Sequence, residues 1–168
     1  MKSQLVDRQF RKVMIPSLLM GVTTNLYIVG IVAFLGAYNL IISPLSGAIF
    51  FFTLFYLLRK NKIPSKLAYI LVVFMVMIEV AVHSHCLGWD MGFYYYLFLM
   101  PVLFLSCTSW GLKSTIIINT SVVIGTIVLW LSFRNREAIF FIPSETMAIF
   151  KTLNLAGTAI INIVIMIY

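Results

Sequence analysis

The sequence predicts an all-α integral membrane protein, a bundle of six transmembrane helices with both its N- and C-terminus in the cytoplasm. Its 168 residues are 62% hydrophobic and only 10% charged, with a mean hydropathy of +1.05, whereas a soluble domain is about half apolar and about a quarter charged. The basic residues lie between the apolar runs, so the net charge of +7 indicates membrane topology. We therefore expect the lipid bilayer, and not nucleic acid, as a partner.

Six apolar runs predict the six spans, because roughly 20 apolar residues are needed to cross a bilayer as a helix. Pro16 and Pro44 lie near the starts of the first and second spans, where the missing N–H of proline costs little. Pro101 lies inside the fourth span and predicts a kink there. The spans are expected at about residues 13–37, 40–58, 67–87, 93–110, 114–133 and 146–168.

The placing of Lys and Arg predicts the orientation, because cytoplasmic loops are enriched in these residues. An N-terminus on the inner side leaves only Arg134, Arg136 and Lys151 outside. Residues 1–12 are then a cytoplasmic amphipathic segment that precedes the six-helix domain of residues 13–168. The nine inner basic residues are Lys2, Arg8, Arg11, Lys12, Arg59, Lys60, Lys62, Lys66 and Lys113.

Glu79 and His83 form the main candidate site. They are four residues apart on the third span and so share one helix face, with Cys86 on the same side and His85 nearly opposite. Ionisable residues inside a membrane are costly and usually face a partner or a cavity. The pair is therefore either a site for a ligand, proton or metal, or a Glu–His hydrogen bond that fixes helix packing.

The turn after the third span carries the second group of candidates. Gly88 and Gly92 flank Trp89 and Asp90, which predicts a specific turn in which Asp90 caps the fourth helix. The aromatic residues that follow, Phe93 to Tyr96, are also typical of the aromatic belt at a membrane interface.

Metal and cofactor sites are less well supported by the residues. Zinc needs three or four ligands, and one chain offers Glu79, His83 and Cys86, with Asp90 as a distant fourth. A haem bound through His83 as a single axial ligand is the other cofactor hypothesis. Cys107 lies roughly 20 Å down the fourth span from its start, so a disulfide with Cys86 is not expected.

Polar residues within the spans are expected to form hydrogen bonds between helices. No phosphate-binding loop, nucleophilic triad or metalloprotease motif occurs, so the sequence shows no catalytic residues. The four asparagines within spans are Asn25, Asn119, Asn154 and Asn162.

The pattern E-x3-H, followed by LGWD-x-GF-x-YY, resembles a bacterial membrane-associated sensor (MASE-type) domain. The resemblance implies a six-helix sensory and dimerising module in the bacterial inner membrane. It also implies an attached cytoplasmic nucleotide cyclase beyond residue 168, either a GGDEF diguanylate cyclase that makes c-di-GMP or a class III adenylyl cyclase. The signal would be an unknown small ligand that binds near the outer face and is relayed through the sixth span. His85 and Cys86 depart from the family pattern. The positions carried over are Glu79, His83, Trp89, Asp90, Gly92, Phe93 and Tyr95.

A second resemblance covers the N-terminal stretch from Phe10 to Ser17, which is similar to the start of multidrug-extrusion (MATE-type) transporters. This similarity fades after about Leu58, and a twelve-span transporter needs a longer chain. A small transporter or channel without an attached enzyme, and a haem- or metal-binding membrane protein, are the alternatives to the cyclase sensor.

Overall fold

Helices build the described part of the chain, residues 2–101 and 111–167 of a computed structural model. Three short 3-10 segments, Tyr38–Leu40, Trp89–Met91 and Phe93–Phe98, connect longer helices. Those two described ranges contain no β-strand. The long helices are α1 (Lys2–Phe34), α2 (Ile42–Arg59), α3 (Ser65–Leu87), α4 (Gly111–Phe133) and α5 (Ser144–Ile167).

Five stretches in these helices are long and apolar enough to span a membrane: Phe10–Phe34, Tyr38–Arg59, Ser65–Leu87, Ile116–Phe133 and Ser144–Ile163. They correspond to the first, second, third, fifth and sixth predicted spans. Their length and composition indicate a multi-pass membrane protein.

The fourth predicted span differs at its start from the α-helix we expected. Residues Phe93–Phe98 form a 3-10 helix, and α-helical geometry begins only at Leu99. The rest of this span, including Cys107 and any kink after Pro101, lies outside the described residues.

The first structural unit comprises residues 1–75 and pairs α1 with α2. α1 is one continuous helix, so no break separates the predicted amphipathic segment of residues 1–12 from the first span. A side chain at Gly21 would begin 2.8 Å from the Phe51 ring, so the glycine permits the close approach of the two helices. At the end of α1, Gly36 has φ +71°, the left-handed conformation that commonly ends helices.

The second structural unit comprises residues 76–167 and includes the turn that follows α3. The two 3-10 segments of this turn pack against α5, and they bury Met91, Phe93 and Leu97. α4 approaches the second half of α3 through Gly125, where the Met77 methyl group occupies the place that a side chain would need.

Candidate functional site

His83 is buried near the end of α3, and its ring orientation is fixed by the main chain. The His83 Nδ1 lies 2.6 Å from the Glu79 carbonyl oxygen. A carbonyl only accepts hydrogen bonds, so Nδ1 carries the proton and Nε2 carries the lone pair of the neutral ring. This Nε2 is buried and has no hydrogen-bond partner among the residues that the structure describes.

Glu79 is also buried, one turn earlier on the same face of α3. The shared face was predicted correctly, but the hydrogen bond that joins the two residues uses the Glu79 main chain and not a carboxylate–imidazole contact. The His83 side chain also packs on Phe93, with 5.0 Å between ring centroids and 33° between ring planes. Glu79, His83 and Phe93 thus form the buried half of the candidate site.

The other two candidates at the end of α3, His85 and Cys86, are less buried than His83. His85 is exposed, with its ring 5.9 Å from that of Phe133, which confirms that the two histidines point apart. Cys86 is partly buried, and its carbonyl accepts a hydrogen bond of 3.0 Å from the Phe140 amide. The loop between α4 and α5 is thereby attached to the end of α3.

Two glycines define the turn, as the sequence predicted. Gly88 has φ 94° and ψ 149°, a region that essentially only glycine occupies, and Gly92 has φ 80° and ψ 18°, the left-handed region. Between them, Trp89–Met91 make one 3-10 turn. The expected conformation of this segment therefore depends on both glycines.

Asp90 does not cap the following helix, contrary to our expectation. Gly92 occupies that N-terminal position, and no side chain makes a capping hydrogen bond there. The Asp90 carboxylate is exposed, and its Oδ1 lies 3.7 Å from Lys151 Nζ on α5. A salt bridge this open to solvent contributes little to stability.

The remaining predicted residues, Trp89 and Tyr95, belong to an aromatic stack. The Trp89 and Tyr94 rings are nearly parallel, with centroids 4.6 Å apart, and the Tyr94 and Tyr95 rings are 4.5 Å apart. All three residues are partly exposed. The predicted site is therefore divided into a buried group around His83 and a more open group with Trp89, Asp90 and Tyr95.

Asn154 on α5 connects the turn to the last helix. Its Oδ1 accepts a 3.0 Å hydrogen bond from the Tyr96 hydroxyl, and its Nδ2 donates a 2.8 Å hydrogen bond to the Met91 carbonyl. The side chain is fully buried. Sequence reasoning identified Asn154 as an interhelical hydrogen-bonding residue but missed Tyr96 and the position of the bond at this turn.

The same face of α5 carries further buried polar atoms. Thr158 and Asn162 follow Asn154 at intervals of four residues, so the three lie along one face. Thr158 Oγ1 and Asn162 Oδ1 are buried and, within the described ranges, have no hydrogen-bond partner, as is also true of Asn119 Oδ1 on α4. Buried polar groups are normally satisfied, so these atoms are candidates for contact with a bound molecule.

The predicted metal ligands are not brought together. Among the described residues, no three His, Cys, Asp or Glu side chains lie close enough to hold one metal ion. Haem ligation would need only one side chain, and the His83 tautomer places the lone pair on Nε2, the atom that would ligate the iron, although this atom is buried in the structure.

Comparisons of the chain with protein families, with curated proteins and with solved structures give no match.

Proposed function

We propose that this chain is the sensory and dimerising membrane module of a bacterial nucleotide cyclase, with a diguanylate cyclase favoured over an adenylyl cyclase. The cyclase assignment rests on the resemblance of the E-x3-H helix and the glycine turn to membrane-associated sensor domains. The basic loops support an inner-membrane orientation with both termini in the cytoplasm. A small ligand would bind near the outer face, at the end of α3 and the turn.

The observation that carries the proposal is the connection between the turn and α5 through Asn154. One buried amide bonds both the 3-10 turn, at the Met91 carbonyl, and the next segment, at the Tyr96 hydroxyl. A ligand that repositions the turn would thereby move α5, provided that it binds two arrangements of the turn with different affinity. In a homodimer, the displaced α5 helices would pass the change to the cytoplasmic enzyme.

The proposal is tested with the whole polypeptide that the gene encodes, expressed in bacteria that lack their own cyclases. We expect c-di-GMP or cyclic AMP to accumulate. We also expect His83→Leu to change the cellular level of this nucleotide several-fold when the variant and the wild-type protein are equally abundant in the membrane. His85→Leu is the matched control, since His85 is exposed on the opposite side of the same helix. Absence of both nucleotides, or equal levels in all three proteins, would reject the cyclase sensor.

A haem-binding protein is the second candidate, because one observation favours it. The Nδ1–H bond to a main-chain carbonyl is the arrangement that orients many metal-ligating histidines. Purified protein supplied with haem would then show a Soret absorption band that disappears in His83→Leu and persists in His85→Leu. A protein that gains no Soret band when it is supplied with haem would contradict this candidate and leave the small-ligand proposal standing.

A further inference from the structure

The loop between α2 and α3 presents the densest cluster of positive charge in the first structural unit. Arg59, Lys60, Lys62 and Lys66 fall within eight residues, and all four side chains are exposed. The segment of residues 59–66 contains no acidic residue. None of the described ion pairs engages Arg59, Lys60 or Lys62.

The end of α2 fixes the backbone between these cations. Asn61 has φ 55°, and its amide donates to the Leu58 carbonyl at 3.1 Å. The Lys62 amide donates to the Leu57 carbonyl at 2.9 Å. These are the two hydrogen bonds of a Schellman motif, with asparagine in the left-handed position. Lys60 and Lys62 therefore flank a defined turn.

Arg11 on α1 holds this turn from the side. Its Nη1 donates to the Leu58 carbonyl at 2.7 Å and to Asn61 Oδ1 at 2.5 Å, and its Nη2 donates to the Ile63 carbonyl at 3.1 Å. Its Nε donates to Asp7 Oδ2 at 2.8 Å. The Arg11 charge is thus used within the protein, and Arg11 is a positioning residue for the exposed cations.

Two of the cations lie against aromatic rings at the end of α2. The Arg59 guanidinium is 5.8 Å from the centre of the Phe55 ring, and Lys62 Nζ is 5.9 Å from the centre of the Tyr56 ring. Long basic side chains at the end of an apolar helix extend along such rings and present their charges at the headgroup level.

We propose that the α2–α3 loop binds the phosphate-bearing headgroups of anionic membrane lipids. Charge complementarity selects the ligand class, because the fixed loop offers three cations beyond the end of an apolar helix. Juxtamembrane clusters of Lys and Arg attract anionic lipids by an amount that corresponds to about five-fold in affinity for each charge. The Arg11 contacts make the cluster a shaped site rather than a flexible basic segment. This proposal is independent of the cyclase assignment.

The test measures lipid binding to the purified full chain in detergent by native mass spectrometry, with phosphatidylglycerol and phosphatidylcholine as probes. Both lipids carry a phosphate, but only phosphatidylglycerol has a net negative charge. We expect Lys60→Gln with Lys62→Gln to weaken phosphatidylglycerol binding roughly 25-fold, from the five-fold effect of each charge, and to leave phosphatidylcholine binding unchanged.

The matched control is Lys113→Gln with Arg136→Gln, which removes two exposed charges outside the α2–α3 loop, one in the first turn of α4 and one in the loop that follows α4. We expect this pair to change phosphatidylglycerol binding less than about two-fold. An equal loss in both pairs would overturn the proposal, because it would mean that only net charge matters. Displacement of the lipid by millimolar inorganic phosphate would overturn it too, since the loop would then be a general anion site.

A second comparison tests the role of Arg11. Arg11→Gln and Lys60→Gln each remove one charge, so a simple electrostatic surface predicts equal losses. We expect Arg11→Gln to weaken phosphatidylglycerol binding more than Lys60→Gln does. Equal effects would exclude positioning by Arg11, and the exposed lysine pair tests the site itself even where Arg11→Gln fails to fold.

Discussion

The two ends of α3 are joined to their neighbouring segments by different chemistry. At the N-terminal end, the preceding loop is held by the charged Arg11 side chain, which bonds two main-chain carbonyls, an asparagine and a carboxylate. At the C-terminal end, the following turn is held by the neutral side chain of Asn154, which is fully buried.

The two regions differ in how many buried polar atoms lack a hydrogen-bond partner. Arg11 is partly solvent-accessible, and water can replace a contact that it loses. In the second unit, several buried atoms such as His83 Nε2 and Thr158 Oγ1 have no partner among the described residues, whereas beside the α2–α3 loop this is true of Ser65 Oγ. Burial without a hydrogen bond is costly, so a ligand of the kind proposed would be expected to act at the turn that follows α3, where more of these atoms lie.

Asn154→Ala would break the buried connection and should have the largest effect. It leaves the Met91 carbonyl and the Tyr96 hydroxyl without their partner, at about 1–3 kcal/mol for each buried group, so we expect a loss of about 2–4 kcal/mol. This exceeds the average of about 0.6 kcal/mol for an interhelical hydrogen bond in a membrane, because two bonds are lost at once and the groups that Asn154 bonded stay buried. Reversible unfolding of the purified chain in sodium dodecyl sulfate measures the change.

Two further variants separate this connection from general damage to α5. Tyr96→Phe removes only one of the two bonds and should cost less than Asn154→Ala. Thr152→Ala, at an exposed position of the same helix, should cost little. If all three variants unfolded at the same detergent concentration, Asn154 would not be a specific link.

Arg11→Gln tests the hydrogen bonds of Arg11 to the α2–α3 loop and to Asp7, and it should have the next largest effect. Hydrogen bonds to charged groups contribute about 1.5–3 kcal/mol, and partial exposure reduces this, so we expect a loss of about 2 kcal/mol. Lys12→Gln removes the same charge from the neighbouring exposed position and is the control. Equal losses of unfolding free energy in the two variants would show that the Arg11 contacts do not stabilise the loop.

The contact between Arg11 and Asp7 also predicts that the stability of the fold depends on pH. Burial acts to raise the pKa of Asp7, but Ser65 and the Arg11 guanidinium act in the opposite direction and lower the pKa below its ordinary value of 3.8. A carboxyl with a lowered pKa stabilises the fold above 3.8, and the contribution is lost as the pH falls through the lower folded value. The difference in unfolding free energy between the wild type and Asp7→Asn should therefore be present above pH 3.8 and should disappear once the pH has fallen below the lowered pKa of Asp7 in the folded protein.

Gly92→Ala tests the geometry of the turn. The left-handed conformation costs a non-glycine residue about 1 kcal/mol or slightly more, and a methyl group there would also lie 2.9 Å from the Tyr95 ring. Gly157→Ala is the matched control, because Gly157 lies in α5 with open space around it, where alanine favours the helix. A loss of stability in Gly157→Ala as large as that in Gly92→Ala would contradict the role of backbone conformation.

Five of the six spans could be predicted from the sequence, because long apolar runs bounded by glycine, proline and basic residues are a local signal. The glycine turn could be predicted for the same reason. The division of the candidate site into a buried group around His83 and a more open group with Trp89 and Tyr95 could not be predicted. It depends on the 3-10 geometry of Phe93–Phe98, which turns the chain by about 120° per residue instead of the 100° of an α-helix. In this segment Phe93 packs on His83, whereas Tyr94 and Tyr95 are partly exposed.

The contacts between residues far apart in the chain could not be predicted from the sequence either. Asn154 lies 58 residues from Tyr96 and 63 from Met91, and nothing local to these residues indicates the pairing. Asp90 was expected to cap a helix because of its position before an apolar run. The helix begins after Gly92 instead, and Lys151, which lies far along the chain, is the partner of Asp90.

His83→Leu should have the smallest effect on stability of these variants. Leucine removes the lone pair of Nε2, so the buried acceptor without a partner disappears together with the Nδ1–H bond to Glu79. The Glu79 carbonyl is a helical carbonyl on α3, so we expect a change within about 1 kcal/mol of zero. Unfolding in sodium dodecyl sulfate should therefore be nearly unchanged while the cellular nucleotide level changes. A loss of stability comparable to that of Asn154→Ala would mean that His83 is a structural residue and would argue against a ligand-binding role for its Nε2.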